Sequence, residues 1–330
     1  MGNVVLEIEN LRTSFCIQDQ YYAAVDDVSL NIYANEVLAI VGESGCGKSA
    51  LALSIMGLHN TRTTKLRGQV NFKGQNLVNG SQSKLNKVRG KDLGMIFQDP
   101  LTALNPLVPV GRQIEEPMKY HLTLSAAGRK KRVLDLLQRV GIQHAHRVYA
   151  QYPHELSGGM RQRVVIAIAL ACDPMLLIAD EPTTALDVTI QAQIMDLMKE
   201  LQNDSQSGIL LITHDLGVVA EMADRVAVMY AGEIVEIAEV TELFSNPLHP
   251  YTRSLLHSVP ANMPDKGRLY VIEGMVPPLQ HLKRTGCRFA PRIPWIVSDE
   301  HEPFPIMHEV KMGHFVRCTC YKNFDFVQHQ

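Results

Sequence analysis

The chain has 330 residues, 46% of them hydrophobic and 20% charged, with a net charge of −2. That suits one large or two modest globular domains, and the near-neutral balance supplies no basic field for nucleic acid. No apolar stretch approaches the ~18 residues of a membrane span, no basic region precedes an apolar core at the N-terminus, Leu6 argues against myristoylation of Gly2, and six scattered cysteines read as reducing-compartment usage rather than a disulfide framework.

From Val4 to Ile32 the chain reads as short strands, with alternation at Val4-Leu6-Ile8 and again at Val28-Leu30-Ile32. An antiparallel sheet ahead of the main core fits. Phe15, Tyr21 and Tyr22 lie between these runs, each able to stack on a base or simply to pack in a strand. Val37 to Val41 is a continuous apolar strand, and Ala50 to Met56 reads as helix. Between them stands Gly42-Glu43-Ser44-Gly45-Cys46-Gly47-Lys48-Ser49, which fits G-x-x-x-x-G-K-[ST] at every fixed position. Its glycines let backbone N–H groups turn inward around a phosphate chain. The helix opening at Lys48 adds its positive dipole end, so Gly42, Ser44, Gly45, Cys46, Gly47, Lys48, Ser49 and Ala50 are expected to cradle phosphates. Lys48 is expected to reach the β- and γ-phosphates, and the Ser49 hydroxyl to ligate Mg²⁺.

Further strands are predicted over Gly68–Phe72 and Leu93–Phe97, the second running into Gln98-Asp99-Pro100, which puts Gln98 at a strand-to-loop junction. From Pro106 to Tyr152 the pattern is helical. Val133, Leu134, Leu136, Leu137 and Val140 form an amphipathic face ended by Gly141, and Arg129-Lys130-Lys131-Arg132 reads as a solvated helix face. Ser157-Gly158-Gly159-Met160-Arg161-Gln162 then leads into a helix over Arg163–Ala171, a second helix N-terminus suited to an anion.

Met175 to Ala179 is an unbroken apolar run, as in a parallel strand buried on both faces. It ends in Asp180-Glu181. Asp180 stands where Mg²⁺ would be held through water, and Glu181 where an attacking water would be oriented or deprotonated. Thr184 to Asp187 leads into a helix with Ile190, Ile194, Leu197, Met198 and Leu201 on one face. Ile209 to Ile212 is another buried strand, ending in Thr213-His214-Asp215, and His214 is expected to contact a γ-phosphate. Arg225–Tyr230 and Glu233–Ala238 read as a hairpin around Ala231-Gly232. The strand–helix alternation implies an open, largely parallel sheet with ligands at the C-terminal ends of its strands.

Taken in order, GESGCGKS, Gln98, LSGGMRQ, LLIADE, TALD and His214 resemble the nucleotide-binding subunit of ABC transporters over residues 4 to 245. The resemblance implies a P-loop α/β cassette with a mixed sheet core, an antiparallel β subdomain and a helical subdomain at about 99–165, followed by a small extension over 246–330. It makes Gly42 to Ser49 the Walker A loop and Gln98 the Q-loop glutamine, touching Mg²⁺. Ser157, Gly158, Gly159 and Gln162 become signature residues, Asp180 and Glu181 Walker B, Asp187 the D-loop residue and His214 the switch histidine. Phe15 becomes the adenine-stacking aromatic, with Tyr22 as rival. In that family two cassettes pair head-to-tail, so that ATP on the Walker A loop of one is covered by the signature of the other.

A second layer points to the oligopeptide/dipeptide/nickel importer branch. Gln98 to Pro106, Asn246 to Leu256, Gly274 to Pro278 and Gly286 to Arg292 carry it. The resemblance implies an ATPase that powers oligopeptide import, with dipeptides or nickel as alternative cargo; a non-transport ABC ATPase is the remaining reading. The implied partners are a second, paralogous cassette, two integral membrane permease subunits and, indirectly, an extracellular peptide-binding protein, with no nucleic acid. The implied place is the cytoplasmic face of the cell membrane, held peripherally. Some relatives carry a four-cysteine iron–sulfur cluster in the tail. Here Ile293 follows Pro291-Arg292 and only Cys287, Cys318 and Cys320 remain, which argues against such a cluster. A metal on Cys318 and Cys320 with a histidine such as His314 is the lesser expectation. The plainer one is a packed tail with a small core of Phe289, Trp295, Phe304, Phe315 and Tyr321.

Overall fold

The alternating runs near the N-terminus are parts of longer strands than their pattern predicts. In a computed structural model, which describes residues 2–183, 188–258, 272–293 and 301–323, β1 spans Val4–Ile17 and β2 spans Gln20–Tyr33. Gln18 and Asp19 join them, both in the left-handed region, as a tight two-residue hairpin requires. Asn10 and Asp27 also have positive φ, which shifts the in/out phase, so one long strand reads as two short periodic pieces.

The rest follows in chain order. β3 is Val37–Val41, α1 Lys48–Met56, β4 Thr64–Phe72, β5 Gln75–Asn76, α2 Gln82–Val88 and β6 Leu93–Ile96. A helical stretch then comprises α3 (Pro100–Ala103), α4 (Val110–His121), α5 (Ala126–Arg139), α6 (Ala145–Ala150) and α7 (Gly158–Ala169). β7 (Leu176–Asp180), α8 (Val188–Ser205), β8 (Gly208–Ile212), α9 (Leu216–Met222), β9 (Arg225–Tyr230) and β10 (Glu233–Glu239) alternate before α10 (Val240–Ser245) and α11 (Pro250–His257). Near the C-terminus come β11 (Met307–Lys311) and β12 (His314–Arg317). Among the described residues no helix is long and apolar enough to cross a membrane.

The described residues fall into two compact units. The first takes in those of Met1–Leu6, Asn31–Val37 and Phe72–Ile212. Its strands β8, β7 and β6 lie side by side, all parallel, with Asp180 opposite Ile212 at the C-terminal end. Every residue of β7 and β8 is buried, as expected for strands covered on both faces. On α5, Val133, Leu136 and Leu137 are buried as the pattern predicts. The basic run is not simply solvated: Arg132 Nε donates to Ala171 O at 2.9 Å and its Nη2 meets Asp173 at 2.6 Å.

The second unit takes in the described residues of Glu7–Leu30, Leu38–Asn71 and Thr213–Gln330. β3 runs parallel to β9, β10 returns antiparallel to β9, and β12 and β11 extend that edge antiparallel. Ala231 and Gly232, both at positive φ, make the predicted β9–β10 turn. The strands β11 and β12 were not legible in the sequence, because both are short and Met307–Lys311 buries no residue fully. They are held by Glu236, wholly buried, whose carboxylate accepts from the Leu248 and His249 amides at 2.8 and 2.9 Å and lies 2.8 Å from His314 Nε2. The expected aromatic core of the tail is corrected. Phe289 alone of the four that are described is buried, packed against Tyr230 and Tyr251 at ring distances of 5.2 Å. Phe304 sits between two prolines and is 81% exposed, Phe315 and Tyr321 are half-buried, and Trp295 lies outside the described residues.

Candidate functional site

In the second unit the strand–turn–helix motif folds as its residues demand. α1 begins at Lys48 with Gly47 as its cap in the left-handed region. Gly42 and Gly47 are needed for close approach as well as conformation: a Cβ at Gly42 would lie 2.1 Å from Met229 O, and one at Gly47 2.4 Å from Ala24 O. Gly45 has open space and needs glycine only for its φ of +80. Lys48 is buried, and its ammonium donates to Gly42 O at 2.7 Å and Glu43 O at 3.0 Å, so the loop is curled around its own cation. Ser44, Gly45 and Ser49 stand at the exposed rim and Ala50 is half-buried. Cys46 is buried beside Lys48, and burial pushes its thiol up, so it stays protonated.

Phe15 belongs to this neighbourhood. It packs edge-on against His59, whose Nε2 lies 3.0 Å from both Ser54 Oγ and Ala50 O on α1. Burial lowers the His59 pKa, which keeps the ring neutral. Thr13 Oγ1, 2.6 Å from Ser54 Oγ, fixes the same stretch of β1 to the same helix. The rival Tyr22 instead donates to Gln20 at 2.7 Å. His214 is exposed at the end of β8, where the Thr213 amide bonds to Ile40 O of β3 at 3.3 Å.

In the first unit the two expected catalytic groups meet: Gln98 Nε2 donates to Glu181 Oε2 at 3.0 Å. Glu181 has φ +47, a strained conformation for a side chain of its size, and its amide is tied to Ile212 O at 2.8 Å. Asp180 is buried at the end of β7. Ser157 caps α7, accepting from the Met160 amide at 3.3 Å, and Ser157 and Gly158 are exposed. Gln162 departs from the expectation of a residue facing nucleotide. It is 2% exposed and its amide donates to Pro182 O at 2.6 Å, which ties α7 to the segment after Glu181. Asp187 lies outside the described residues.

Sequence reasoning missed the grip of the C-terminal extension on the phosphate loop. The Glu43 amide donates to Tyr251 Oη at 2.7 Å, and Arg292 Nη1 meets both oxygens of the Glu43 carboxylate at 2.9 Å. Nearby, Asp26 takes Arg12 from the same sheet and both Arg284 and Arg288 from the extension. Nothing local in the sequence couples groups so far apart in the chain; the only signal was an acid inside the loop and arginines in the tail.

Residues 25–184 match the family of ABC transporters, and residues 235–296 match the C-terminal region of oligopeptide/dipeptide transporters. The chain is 49% identical over 98% of its length to the oligopeptide transport ATP-binding protein OppD of Lactococcus lactis subsp. cremoris, covering 96% of that protein. It belongs to the ABC transporter ATP-binding subunits. The oligopeptide transport ATP-binding protein AppD of Bacillus subtilis is 48% identical over 97% of this chain and 98% of its own. Among solved structures, the ATP-binding cassette MJ0796, dimeric and bound to ADP and Pi, superposes with a TM-score of 0.65 at 29% identity, over 71% of this chain and 98% of that one. The cassette cbiO1 of Clostridium perfringens gives 0.62 at 30% identity over 74% of this chain and 92% of that one. The phosphate loop, Gln98, Ser157 and Glu181 fall inside the ABC match; Arg288 and Arg292 fall inside the second. The chain carries the ATPase fold of a transporter-energising subunit.

Proposed function

We propose that this cassette binds ATP with Mg²⁺ and hydrolyses it to energise uptake of short peptides through a membrane transporter. The observation that carries the reading is the phosphate loop, with its buried Lys48 at the N-terminus of α1 and the glycines that its close contacts require. Lys48 and the loop amides hold the phosphates, and Ser49, Gln98 and Asp180 hold Mg²⁺, which when bound neutralises charge on the phosphate oxygens. Glu181, oriented by Gln98, positions and deprotonates the attacking water, and His214 contacts the γ-phosphate. Phe15 stacks on adenine. Little covalent help is needed, since phosphoryl transfer depends mainly on placement and on charge stabilisation.

The turn at Ser157-Gly158-Gly159, exposed at its first two residues, offers an anion site suited to the ATP of a second cassette, and the family resemblance assigns Asp187, which lies outside the described residues, to the same role. That partner is a paralogous subunit, and two permease subunits place the pair at the cytoplasmic face of the membrane, supplied by an extracellular binding protein. Oligopeptide cargo is supported by likeness to OppD and AppD along nearly the whole chain, extension included. In the assembled transporter, Glu181→Gln is expected to keep ATP binding and to lower hydrolysis by about 10²–10⁴-fold, with uptake of labelled peptide lost. Unchanged transport by this variant would sink the mechanism. Uptake of nickel but no peptide by the intact transporter would sink the cargo assignment and leave the ATPase reading standing.

A further inference from the structure

The iron–sulfur cluster of some relatives does not fit the residues of this tail. Ile293 follows Arg292 and is fully buried, and the described residues bring together three thiols rather than four. The expected metal partner His314 is also corrected, since Glu236 and Glu242 claim both of its ring nitrogens. Instead the fold gathers Cys287, His301, Cys318 and Cys320, whose sulfur and ring-nitrogen atoms all lie within 4.8 Å of one another. We propose that these four residues form a mononuclear Cys₃His site for Zn²⁺ that staples three separate stretches of the extension together.

Several observations support this. Tetrahedral Zn–S bonds of about 2.3 Å place neighbouring sulfurs about 3.8 Å apart, so four donors this close suit a single ion, whereas a cubane core holds its thiolates farther apart. All three cysteines are buried, and thiolate with imidazole is the donor set that selects zinc over magnesium or calcium. Both ring nitrogens of His301 are shielded from water and have no hydrogen-bond partner, a cost that ligation of one nitrogen removes.

The scaffold is braced by protein contacts alone. The Gly286 amide bonds to Pro303 O at 3.0 Å, the Cys318 amide to Ile306 O at 3.4 Å, and Arg317 Nη1 to Pro305 O at 3.1 Å. Arg288 and Arg317 border the cysteines and offset the surplus negative charge of three thiolates on a dication. A cleft of about 730 Å³, lined by Lys283, Cys287, His301 and Glu302, gives an ion a way in. The site also bears on the cassette: Arg288, Phe289 and Arg292 closely follow Cys287 and reach Asp26, the Tyr230–Tyr251 pair and Glu43.

The test uses the full chain purified anaerobically with reductant and is independent of any ATPase assay. Elemental mass spectrometry should find about one zinc per chain. Exchange for Co²⁺ should give a thiolate-to-cobalt charge-transfer band with the visible bands of a tetrahedral ion. Cys320→Ser should lose zinc, and His301→Ala should keep a thiolate band while binding zinc about tenfold or more weaker. Circular dichroism checks that these variants fold; if one does not, the cobalt spectrum of the unaltered chain decides. Several irons with acid-labile sulfide per chain, a disulfide between any two of these cysteines, or failure to compete for zinc against a micromolar dye would each overturn the proposal.

Discussion

Replacing Asp26 with asparagine tests the buried carboxylate that joins the C-terminal extension to the sheet carrying Arg12. Asp26 is 2% exposed and carries Arg12, Arg284 and Arg288 on one carboxylate. Burial by itself pushes that carboxyl up, but the hydrogen bonds and charges of Arg12 and Arg288 outweigh it and hold the pKa at about 2 against an ordinary 3.8. That difference corresponds to about 2 kcal/mol. The substitution would also leave Arg288, itself buried, short of its main counter-charge, and breaking a buried pair from one side costs about 3–5 kcal/mol. Glu233, 3.2 Å from Arg288, offsets part of this, so a loss of about 3 kcal/mol in urea unfolding is expected. Arg12→Ala, whose side chain is 48% exposed, should cost under about 1 kcal/mol. The sign with pH follows from the depressed pKa: the stabilisation is complete above the unfolded value near 3.8 and is lost as pH falls through about 2. Asp26→Asn should therefore flatten the acid limb of the stability profile. Equal costs for the two variants, or an unchanged acid limb, would refute the buried anchor.

Two further outcomes test the phosphate loop. Gly47→Ala sets a Cβ 2.4 Å from Ala24 O and should abolish binding of a fluorescent ATP analogue, whereas Gly45→Ala meets nothing within 4 Å and should cost only about 1–2 kcal/mol of backbone strain; equal effects on nucleotide affinity would contradict the contact argument. Tyr251→Phe keeps the ring packing but removes the acceptor of the Glu43 amide, with an expected loss of about 1 kcal/mol. Paired with Arg292→Ala in a double-mutant cycle, it should show coupling through Glu43, and strict additivity would argue against a shared grip.

The strands that carry the site were legible because β3, β7 and β8 are continuous apolar runs buried on both faces, leading into Gly42 after β3, Asp180 at the end of β7 and Thr213 after β8. Lys48 and Ser157 were legible because helix starts write themselves locally, as a glycine turn or a serine cap. Gln162 was not: its place inside a motif said nothing of its side chain, which is buried on Pro182 O. Nor was the exchange of His314 for His301, since a nearby spacing of Cys-x-Cys and histidine is silent about the acid waiting on β10.

By itself the sequence determined the strand–helix alternation and the phosphate loop, because those features rest on short-range rules of period, turn chemistry and fixed spacing; the cassette and the family branch came from the resemblance of its motifs to known relatives. Only the tertiary structure decided which distant groups share an environment. It set Arg292 and Tyr251 on Glu43, three arginines on Asp26, and three thiols with His301. Such pairings arise from how strands and loops far apart in the chain are packed, and charge or ligand complementarity acts only once they are within a few ångströms.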